Sequence, residues 1–180
     1  MQASQTSSDQ SVETGDSEAG KTLLFDISGI DLAATAADRA QIESINPHRG
    51  VMQLLDKVIW ATPDYTLALA QKQIRGDEFW AQGHFPGKPV FPGVLMVETG
   101  AQLACFAFIS RRPVPGISYF LRIEHASFRS MVVPGDTLLV LCKVIKAQRR
   151  RFVTDIQGVV GDRIAFDGRI SGMFVEGGVL

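Results

Sequence analysis

Residues 94–110 read VLMVETGAQLACFAFIS, and this stretch decides the fold. Its length and its leucine, methionine, alanine and glutamine content predict a helix rather than a strand. Apolar residues lie nearly all the way round this helix, so we expect it to be buried on most sides. Pro92 and Gly93 suit its start, and the RRP sequence at residues 111–113 suits its end. Such a helix needs a surface that covers it.

Strand-like segments supply that surface. Pro134-Gly135-Asp136 predicts a turn, and Gly161-Asp162 predicts a two-residue hairpin. The expected strands are residues 51–60 and 66–74 before the helix, and 117–128, 137–146, 151–160 and 163–175 after it. We therefore predict an α+β fold in which a curved antiparallel sheet, a meander in its C-terminal half, wraps around the long helix.

Charge and hydropathy exclude several classes of protein. The chain has 180 residues, with 18 basic and 19 acidic side chains and a formal net charge of −1. This balance argues against binding to a nucleic acid backbone, which requires a basic field. No uninterrupted apolar run approaches the ~18 residues that a membrane helix requires. We expect a soluble protein with no membrane span.

The chain divides unevenly. Residues 1–21 consist mainly of serine, glutamine and acidic residues, and this composition predicts a disordered tail. The tail lacks the basic start and apolar core of a signal peptide, so we expect a cytoplasmic protein. Residues 22–41 contain a short apolar segment and are interpreted as an N-terminal arm. Residues 42–180 are predicted to form one domain.

Cysteine and histidine patterns indicate neither a disulfide framework nor a metal site. Cys105 and Cys142 lie among apolar residues, which favours buried, reduced thiols. The three histidines, at positions 48, 84 and 125, do not have the spacing of metal ligands. We expect no metal and no cofactor. The sequence also contains neither a GxSxG nucleophile elbow nor a Walker loop.

One loop and the start of the helix contain the residues for acid–base chemistry. His84 lies in the loop GHFPG, and Glu98 is the only charged residue from position 89 to 110. A buried carboxylate is either paired, or its pKa rises and it keeps a proton. A histidine base, a carboxylic acid and a helix N-terminus that stabilises an oxyanion would form a catalytic unit. A structural histidine and a glutamate that favours the helix dipole are the alternative.

The residues themselves resemble a family. The segment QGHFPGKPVFPGVLMVETGAQ, residues 82–102, resembles the signature of FabZ-type 3-hydroxyacyl-[acyl-carrier-protein] dehydratases. NPHR at 46–49 with LLDKV at 54–58, and FRSMVVPGD at 128–136, resemble two further blocks of that family. The resemblance covers about residues 42 to 175 and implies the hot-dog fold, a long helix wrapped by an antiparallel sheet.

The resemblance also implies roles for single residues. His84 matches the base that removes the α-proton of a 3-hydroxyacyl thioester, and Glu98 matches the acid that helps the 3-hydroxyl group leave as water. Val90 matches the residue whose carbonyl orients the histidine, and Gly93 matches the residue whose N–H polarises the thioester carbonyl. The expected substrate-binding residues are Gly93, Val94, Val90, Gln102 and Tyr119; of these, Gln102 would fix the acid and Tyr119 would gate the acyl tunnel.

Family members act on acyl chains attached to an acyl carrier protein, and their active site forms between two subunits. The resemblance therefore implies a homodimer, possibly a trimer of dimers, with His84 of one chain facing Glu98 of the other. Lys88 stands where the related dehydratase-isomerases carry aspartate, and the acid position is a glutamate. We therefore expect a dehydratase of fatty acid or lipid biosynthesis without isomerase activity.

Other interpretations remain open. A hot-dog thioesterase would use Glu98 to activate water without needing His84, and a non-catalytic member would only bind an acyl carrier. Gly100 departs from the family pattern, and it would either widen the pocket or permit close packing. His48 and His125 lie outside the catalytic block and are interpreted as structural.

Overall fold

The computed structural model of the protein describes residues 22–177. The predicted disordered tail, residues 1–21, lies outside the described residues. The helices are α1 (Arg39–Ile45) and α2 (Gly93–Ile109), and a single 3₁₀ turn spans Gly50–Met52. The strands are β1 (Lys57–Ala61), β2 (Leu67–Gln73), β3 (Gly116–Phe128), β4 (Thr137–Ala147), β5 (Arg151–Val160) and β6 (Arg163–Glu176). Within residues 22–177, no helix combines the length and the apolar character needed to cross a membrane.

Helix α2 is the centre of the molecule, as its sequence predicts. Eleven of its seventeen residues are buried, and seven of these belong to the main hydrophobic core. Because apolar residues surround the helix, the strands must cover it on several sides. The six strands form one antiparallel sheet that packs against the helix, which is the predicted α+β hot-dog architecture.

The order of the strands differs from the predicted meander at one place. The sheet has the order β1-β2-β4-β5-β6-β3, so β3 pairs with β6 and forms an edge instead of pairing with β4. Residues 129–136 connect β3 to β4 across the end of the sheet. Ser130 donates to the carbonyl of Ala165, and Gly135 donates to the carbonyl of Ile74. The segment is therefore a crossing connection, too long for a tight hairpin turn.

The predicted strand at residues 51–60 is too long. Its first part is the 3₁₀ turn, which Gly50 enters with a φ of 59°. The backbone N–H of Leu54 then donates to the side chain of Gln102 at 3.0 Å instead of joining a strand ladder. Only its last four residues, 57–60, belong to β1, which pairs with β2. Tertiary contacts with α2 thus override the local apolar pattern.

The N-terminal arm covers the face of the sheet opposite α2. Val58 belongs to the main core and its neighbour Ile59 to a second apolar cluster, because strand side chains alternate between faces. The arm contributes Leu23, Leu24, Phe25, Ile27 and Ile30 to this second cluster. Both hydrogen-bonding groups of the buried Gln157 side chain are used by the arm, at Thr22 and Leu24. The arm is therefore an ordered outer layer.

Candidate active site

The loop between β2 and α2 holds His84 by its backbone and by its ring. The backbone N–H of His84 donates to the carbonyl of Trp80 at 2.9 Å, and its own carbonyl accepts from the N–H of Val90 at 2.7 Å. The ring stacks on Phe85 with centroids 4.1 Å apart. Nδ1 lies 2.8 Å from the carbonyl oxygen of Val90. The imidazole is thus fixed in position and orientation by residues of its own loop.

The contact with Val90 decides which ring nitrogen carries the proton. A carbonyl oxygen only accepts hydrogen bonds, so Nδ1 of His84 must be the donor. In the neutral ring the lone pair is then on Nε2, which is the nitrogen that can take a proton from a substrate. The side chain is only partly buried. Val90 therefore gives His84 the tautomer that a general base requires.

The start of α2 lies directly after this loop. Among the described residues, the backbone N–H groups of Gly93 and Val94 have no hydrogen-bond partner. Unpaired N–H groups at the positive end of a helix dipole can stabilise a developing oxyanion. A Cβ atom on Gly93 would lie only 2.8 Å from the Phe128 ring. A side chain at position 93 would therefore require the Phe128 ring to move.

Glu98 lies one turn further along α2 and is paired. Its Oε1 accepts from Nε2 of Gln102 at 2.9 Å and lies 3.3 Å from Nε2 of His48. Burial would raise the pKa of this carboxyl, but the hydrogen bonds from His48 and Gln102 and the charge of His48 outweigh it. The net effect lowers the pKa of Glu98 below its ordinary value. Of the two predicted alternatives, pairing or a raised pKa, the single chain shows pairing.

Gln102 connects Glu98 to the segment that precedes β1. It is fully buried, and its amide donates both to Glu98 and, at 2.7 Å, to the carbonyl of Met52. The backbone carbonyl of Gln102 accepts from the side chain of Asn46 at 2.9 Å. This network holds the NPHR segment against α2. Gln102 thus contacts the Glu98 carboxyl, and its role in orienting the acid stays a prediction.

The network also brings His48 into the site, and the sequence interpretation of His48 as a structural residue overlooked this contact. Arg49 donates to the carbonyls of Asn46 and His48, and these bonds fix the turn that carries the ring. Nδ1 of His48 is buried and has no partner within residues 22–177. The NPHR block was the feature of the sequence that pointed to His48. Its distance along the chain from Glu98 does not show that the two side chains meet.

A small cavity of about 70 Å³ lies beside Glu98. Tyr119, whose residue surface is 49% exposed, lies at this cavity and on edge strand β3. The lining residues are His48, Glu98, Ala101, Cys105, Ser118, Tyr119, Phe120, Phe152 and Ile170. His84 is not among them, so one chain places Tyr119 and Glu98 together but leaves His84 in a separate position.

The two cysteines and His125 are not part of the contacts around His84 and Glu98 described above. Both cysteines are free and buried, as predicted. Burial raises the pKa of Cys105 to about 12, so its thiol stays protonated beside the cavity. His125 lies on β3 outside this cavity. Within residues 22–177, no group of three or more His, Cys, Asp or Glu side chains could hold a metal ion.

Solved structures confirm the fold. The dehydratase heterocomplex ApeI:P from Xenorhabdus doucetiae aligns with a TM-score of 0.64 and 14% identity, covering 76% of this chain and 91% of that chain. Cj0977 from Campylobacter jejuni aligns with a TM-score of 0.60 and 13% identity, covering 81% and 96% of the two chains. At these identities the likeness concerns the fold alone.

Sequence comparison identifies the family. A 3-hydroxyacyl-[acyl-carrier-protein] dehydratase FabZ from Clostridium kluyveri is 36% identical over 137 residues, which cover 76% of this chain and 93% of that protein. The FabZ of Clostridium novyi is 42% identical over 107 residues, covering 59% and 75%. The bifunctional LpxC/FabZ enzyme of Porphyromonas gingivalis is 36% identical over 143 residues, covering 77% of this chain but 30% of that longer protein. Residues 46–169 match the FabA-like domain. The chain therefore belongs to the FabA-like family and, within it, to the FabZ-type dehydratases, which are hydro-lyases.

Proposed function

We propose that this protein dehydrates (3R)-hydroxyacyl-[acyl-carrier-protein] thioesters to trans-2-enoyl thioesters in the fatty acid or lipid biosynthesis of the cytoplasm. The observation that carries the proposal is the 2.8 Å contact between Nδ1 of His84 and the carbonyl of Val90. It leaves Nε2 as a base, and the unpaired N–H groups of Gly93 and Val94 follow within ten residues. Family membership supplies the substrate class.

In the first part of the proposed reaction, Nε2 of His84 takes the α-proton. The electron pair of the broken C–H bond moves toward the thioester carbonyl, so negative charge develops on its oxygen. The N–H groups of Gly93 and Val94 would stabilise that charge, and removal of one such donor typically costs ~3–4 kcal/mol in other enzymes. A positioned base contributes ~10²–10⁴-fold. These effects require no group beyond the protein.

In the second part, the C–O bond to the 3-hydroxyl breaks and the hydroxyl takes a proton from Glu98, leaving as water. Glu98 must hold that proton, although its pKa in the single chain is lowered. Burial is the largest influence on this carboxyl and acts in the opposite direction. An acyl chain that fills the cavity would bury Glu98 further and raise its pKa, so substrate binding itself would favour the protonated acid.

A second copy of the chain would bring its His84 next to Glu98 of the first. The single chain places His84 outside the cavity that Glu98 lines, and β3 leaves one long edge unpaired in the sheet order. Near both features the surface is unusually apolar, and an exposed apolar surface beside a free strand edge marks an association site. The exposed side chains are Phe79, Phe85, Val94, Tyr119, Phe120, Leu121, Ile123, Phe128, Met131 and Val133. We propose a homodimer, with trimers of dimers as a further assembly.

The carrier protein would meet a basic groove. Arg122, Lys146 and Arg151 line a groove of about 450 Å³, and Glu124 is the one acidic residue in its lining. Phe152 lines both this groove and the cavity beside Glu98. An acidic carrier would be attracted to the three cations, and such attraction weakens with added salt. We propose this groove as the carrier contact.

Product specificity follows from the acid. Glu98 is longer than the aspartate of the dehydratase-isomerases, and Lys88 replaces a second aspartate of their signature. We therefore propose that the reaction ends at the trans-2-enoyl thioester, with no cis-3 product.

The test is turnover of 3-hydroxyacyl and crotonyl carrier thioesters, followed at the absorbance of the conjugated enoyl thioester. Wild-type protein should interconvert them, and His84→Ala and Glu98→Gln should each lose at least ~10²-fold in kcat while staying folded. His125→Gln is the matched control. Release of free thiol by the wild type would establish a thioesterase instead. If no reaction occurs at any acyl chain length, the protein would instead be a non-catalytic member that binds an acyl carrier.

A further inference from the structure

We propose that the buried ion pair of Lys72 and Glu78 is a positioning device for His84. This proposal rests on the proposed function, because it explains how the base is held. Neither residue lines the cavity beside Glu98, and neither belongs to the helix that carries Glu98. Their effect would be transmitted through the loop between β2 and α2.

The pair itself is unusually well enclosed. Nζ of Lys72 lies 2.7 Å from Oε2 of Glu78, and the two side chains are 2% and 7% exposed. The second carboxylate oxygen, Oε1, accepts from the backbone N–H of Arg75 at 2.9 Å. Both oxygens of Glu78 are therefore engaged, and each fixes a different part of the loop. Glu78 is tied to β2 through Lys72 and to the first loop turn through Arg75.

From Glu78 the chain of contacts leads to the backbone of His84. The carbonyl of Glu78 accepts from Ala81 at 2.9 Å, which closes the turn that contains Trp80. The carbonyl of Trp80 accepts from Gly83 at 3.2 Å and from His84 at 2.9 Å. Glu78 thus holds the turn that contains Trp80, and the carbonyl of Trp80 binds the backbone N–H of His84.

From Lys72 a second chain of contacts leads to the ring of His84. Nζ of Lys72 lies 5.4 Å from the centroid of the Phe91 ring, a cation–π distance. Phe91 packs edge-on against Trp80 at 5.3 Å, and its backbone N–H donates to Val132 at 2.7 Å. The residue before Phe91 is Val90, whose carbonyl fixes Nδ1 of His84. The ion pair therefore supports both contacts that orient the imidazole.

Stability alone does not account for an ion pair at this place. Removing two charges from water is costly, and well-packed apolar residues of similar volume often replace a buried pair without loss of stability. Hydrogen bonds, unlike apolar contacts, have fixed directions. We infer that the pair serves the geometry of the loop, where a displacement of 1 Å at a catalytic group can cost about 10²-fold in rate.

The experiment compares two double variants. Lys72→Met/Glu78→Leu replaces the buried pair with apolar side chains. Arg169→Met/Asp155→Leu removes a second ion pair, on β6 and β5, which has a 2.6 Å contact, is partly exposed and belongs to neither the loop nor β2. We expect the first variant to keep a Tm close to that of the wild type but to lose about 10- to 100-fold in kcat, with KM changed by less than about threefold. The second variant should keep its kcat.

A spectroscopic readout separates this proposal from the proposed function. The ¹⁵N shifts of the His84 ring report its Nδ1–H tautomer whether or not the protein turns over any thioester. They should change, or the signals should broaden, in Lys72→Met/Glu78→Leu and not in the control. A folded double variant with wild-type kcat and ring shifts would overturn the proposal. If wild type itself showed no dehydration, the ring shifts would still decide it.

A single variant removes only the charge of Glu78. Because it is expected to be less stable than the wild type, it is assayed at low temperature and its kcat is normalised to the folded fraction. Glu78→Gln keeps the side-chain shape and an acceptor for the N–H of Arg75, but it removes the charge that Lys72 meets. If it folds, kcat should fall while the bound fraction of a non-reactive acyl thioester stays the same. Wild-type kcat in Glu78→Gln would also contradict the proposal.

Discussion

Nε2 of His48 lies 3.3 Å from Oε1 of Glu98, the same oxygen that accepts a hydrogen bond from Gln102. Fifty residues separate His48 from Glu98 in the chain, and the NPHR turn carries the histidine to the first turns of α2. The acid of the proposed reaction thus has two hydrogen-bonding neighbours in the free protein. Its charge state depends on them as well as on burial.

His48 is expected to act through Glu98 as a positioning residue. His48→Gln places an amide N–H where Nε2 of the ring can donate, whereas His48→Ala leaves the carboxylate with one donor fewer. We expect the alanine variant to lose about tenfold in kcat/KM, because a displaced catalytic group reacts more slowly. The pKa of Glu98 should rise in this variant, because a donor that lowers it is removed. The glutamine variant should keep most of the activity. Steady-state kinetics across pH 5–9 checks this, and two variants with wild-type profiles would contradict it.

Glu78 is expected to make stability depend on pH. Burial would raise its pKa, but the hydrogen bonds from Lys72 and from the backbone of Arg75 lower it below the ordinary value of 4.5. A group with a lowered folded pKa stabilises the protein above its unfolded pKa, and this contribution is lost as the pH falls through the folded value. At pH 7, Glu78→Gln should destabilise the protein by about 3–5 kcal/mol. Urea unfolding should show that this difference shrinks below pH 4.5; a constant difference would refute the assignment.

Gly100 permits close packing of α2 against β5. This is the second of its two predicted roles, the first being a wider pocket. A Cβ atom there would lie 2.7 Å from Cδ1 and 3.0 Å from Cβ of Ile156 on the covering strand. Gly100→Ala should therefore destabilise the protein by ~1–3 kcal/mol, despite the better helix propensity of alanine. Adding Ile156→Val removes Cδ1 and should restore part of the loss. Thermal unfolding measures both, with Gly29→Ala, where a Cβ meets nothing within 4 Å, as the control.

The N-terminal arm is expected to protect the outer face of the sheet. Deleting residues 1–34 would uncover four apolar side chains that are now at most 3% exposed, Ile59, Leu69, Leu141 and Val159. It would also remove both partners of the Gln157 side chain. We expect a lower Tm and binding of a hydrophobic dye. Deletion of residues 1–21 alone is the comparison, because it keeps every arm contact described above, and equal Tm values for the two deletions would contradict this role.

Much of the fold follows from local pattern. The apolar residues around α2 predict its burial, and its bounds fall within one residue of the predicted segment 94–110. The strands after it are also close to prediction, because the turn residues at Gly135 and Gly161 have positive φ values that end strands. Local chemistry likewise identified His84 and Glu98 as candidates, since charged and titratable groups beside an apolar helix are rare.

Local sequence pattern could not predict which strands pair with each other. Nothing in the sequence of β3 distinguishes β4 from β6 as its neighbour, because antiparallel pairing depends on the path of the connection at residues 129–136. The contact of His48 with Glu98 and the enclosure of Lys72 with Glu78 are equally non-local.

The sequence by itself therefore determined the central helix, the presence of a covering sheet, the family and the candidate acid and base. Only the tertiary structure decided which strand is the edge, which histidine of the same chain meets Glu98, and that Lys72 and Glu78 form a buried ion pair. The physical reason is range: helix propensity, capping and turn chemistry act within a few residues. Strand order and buried polar contacts depend on which distant segments are brought together when the core excludes water.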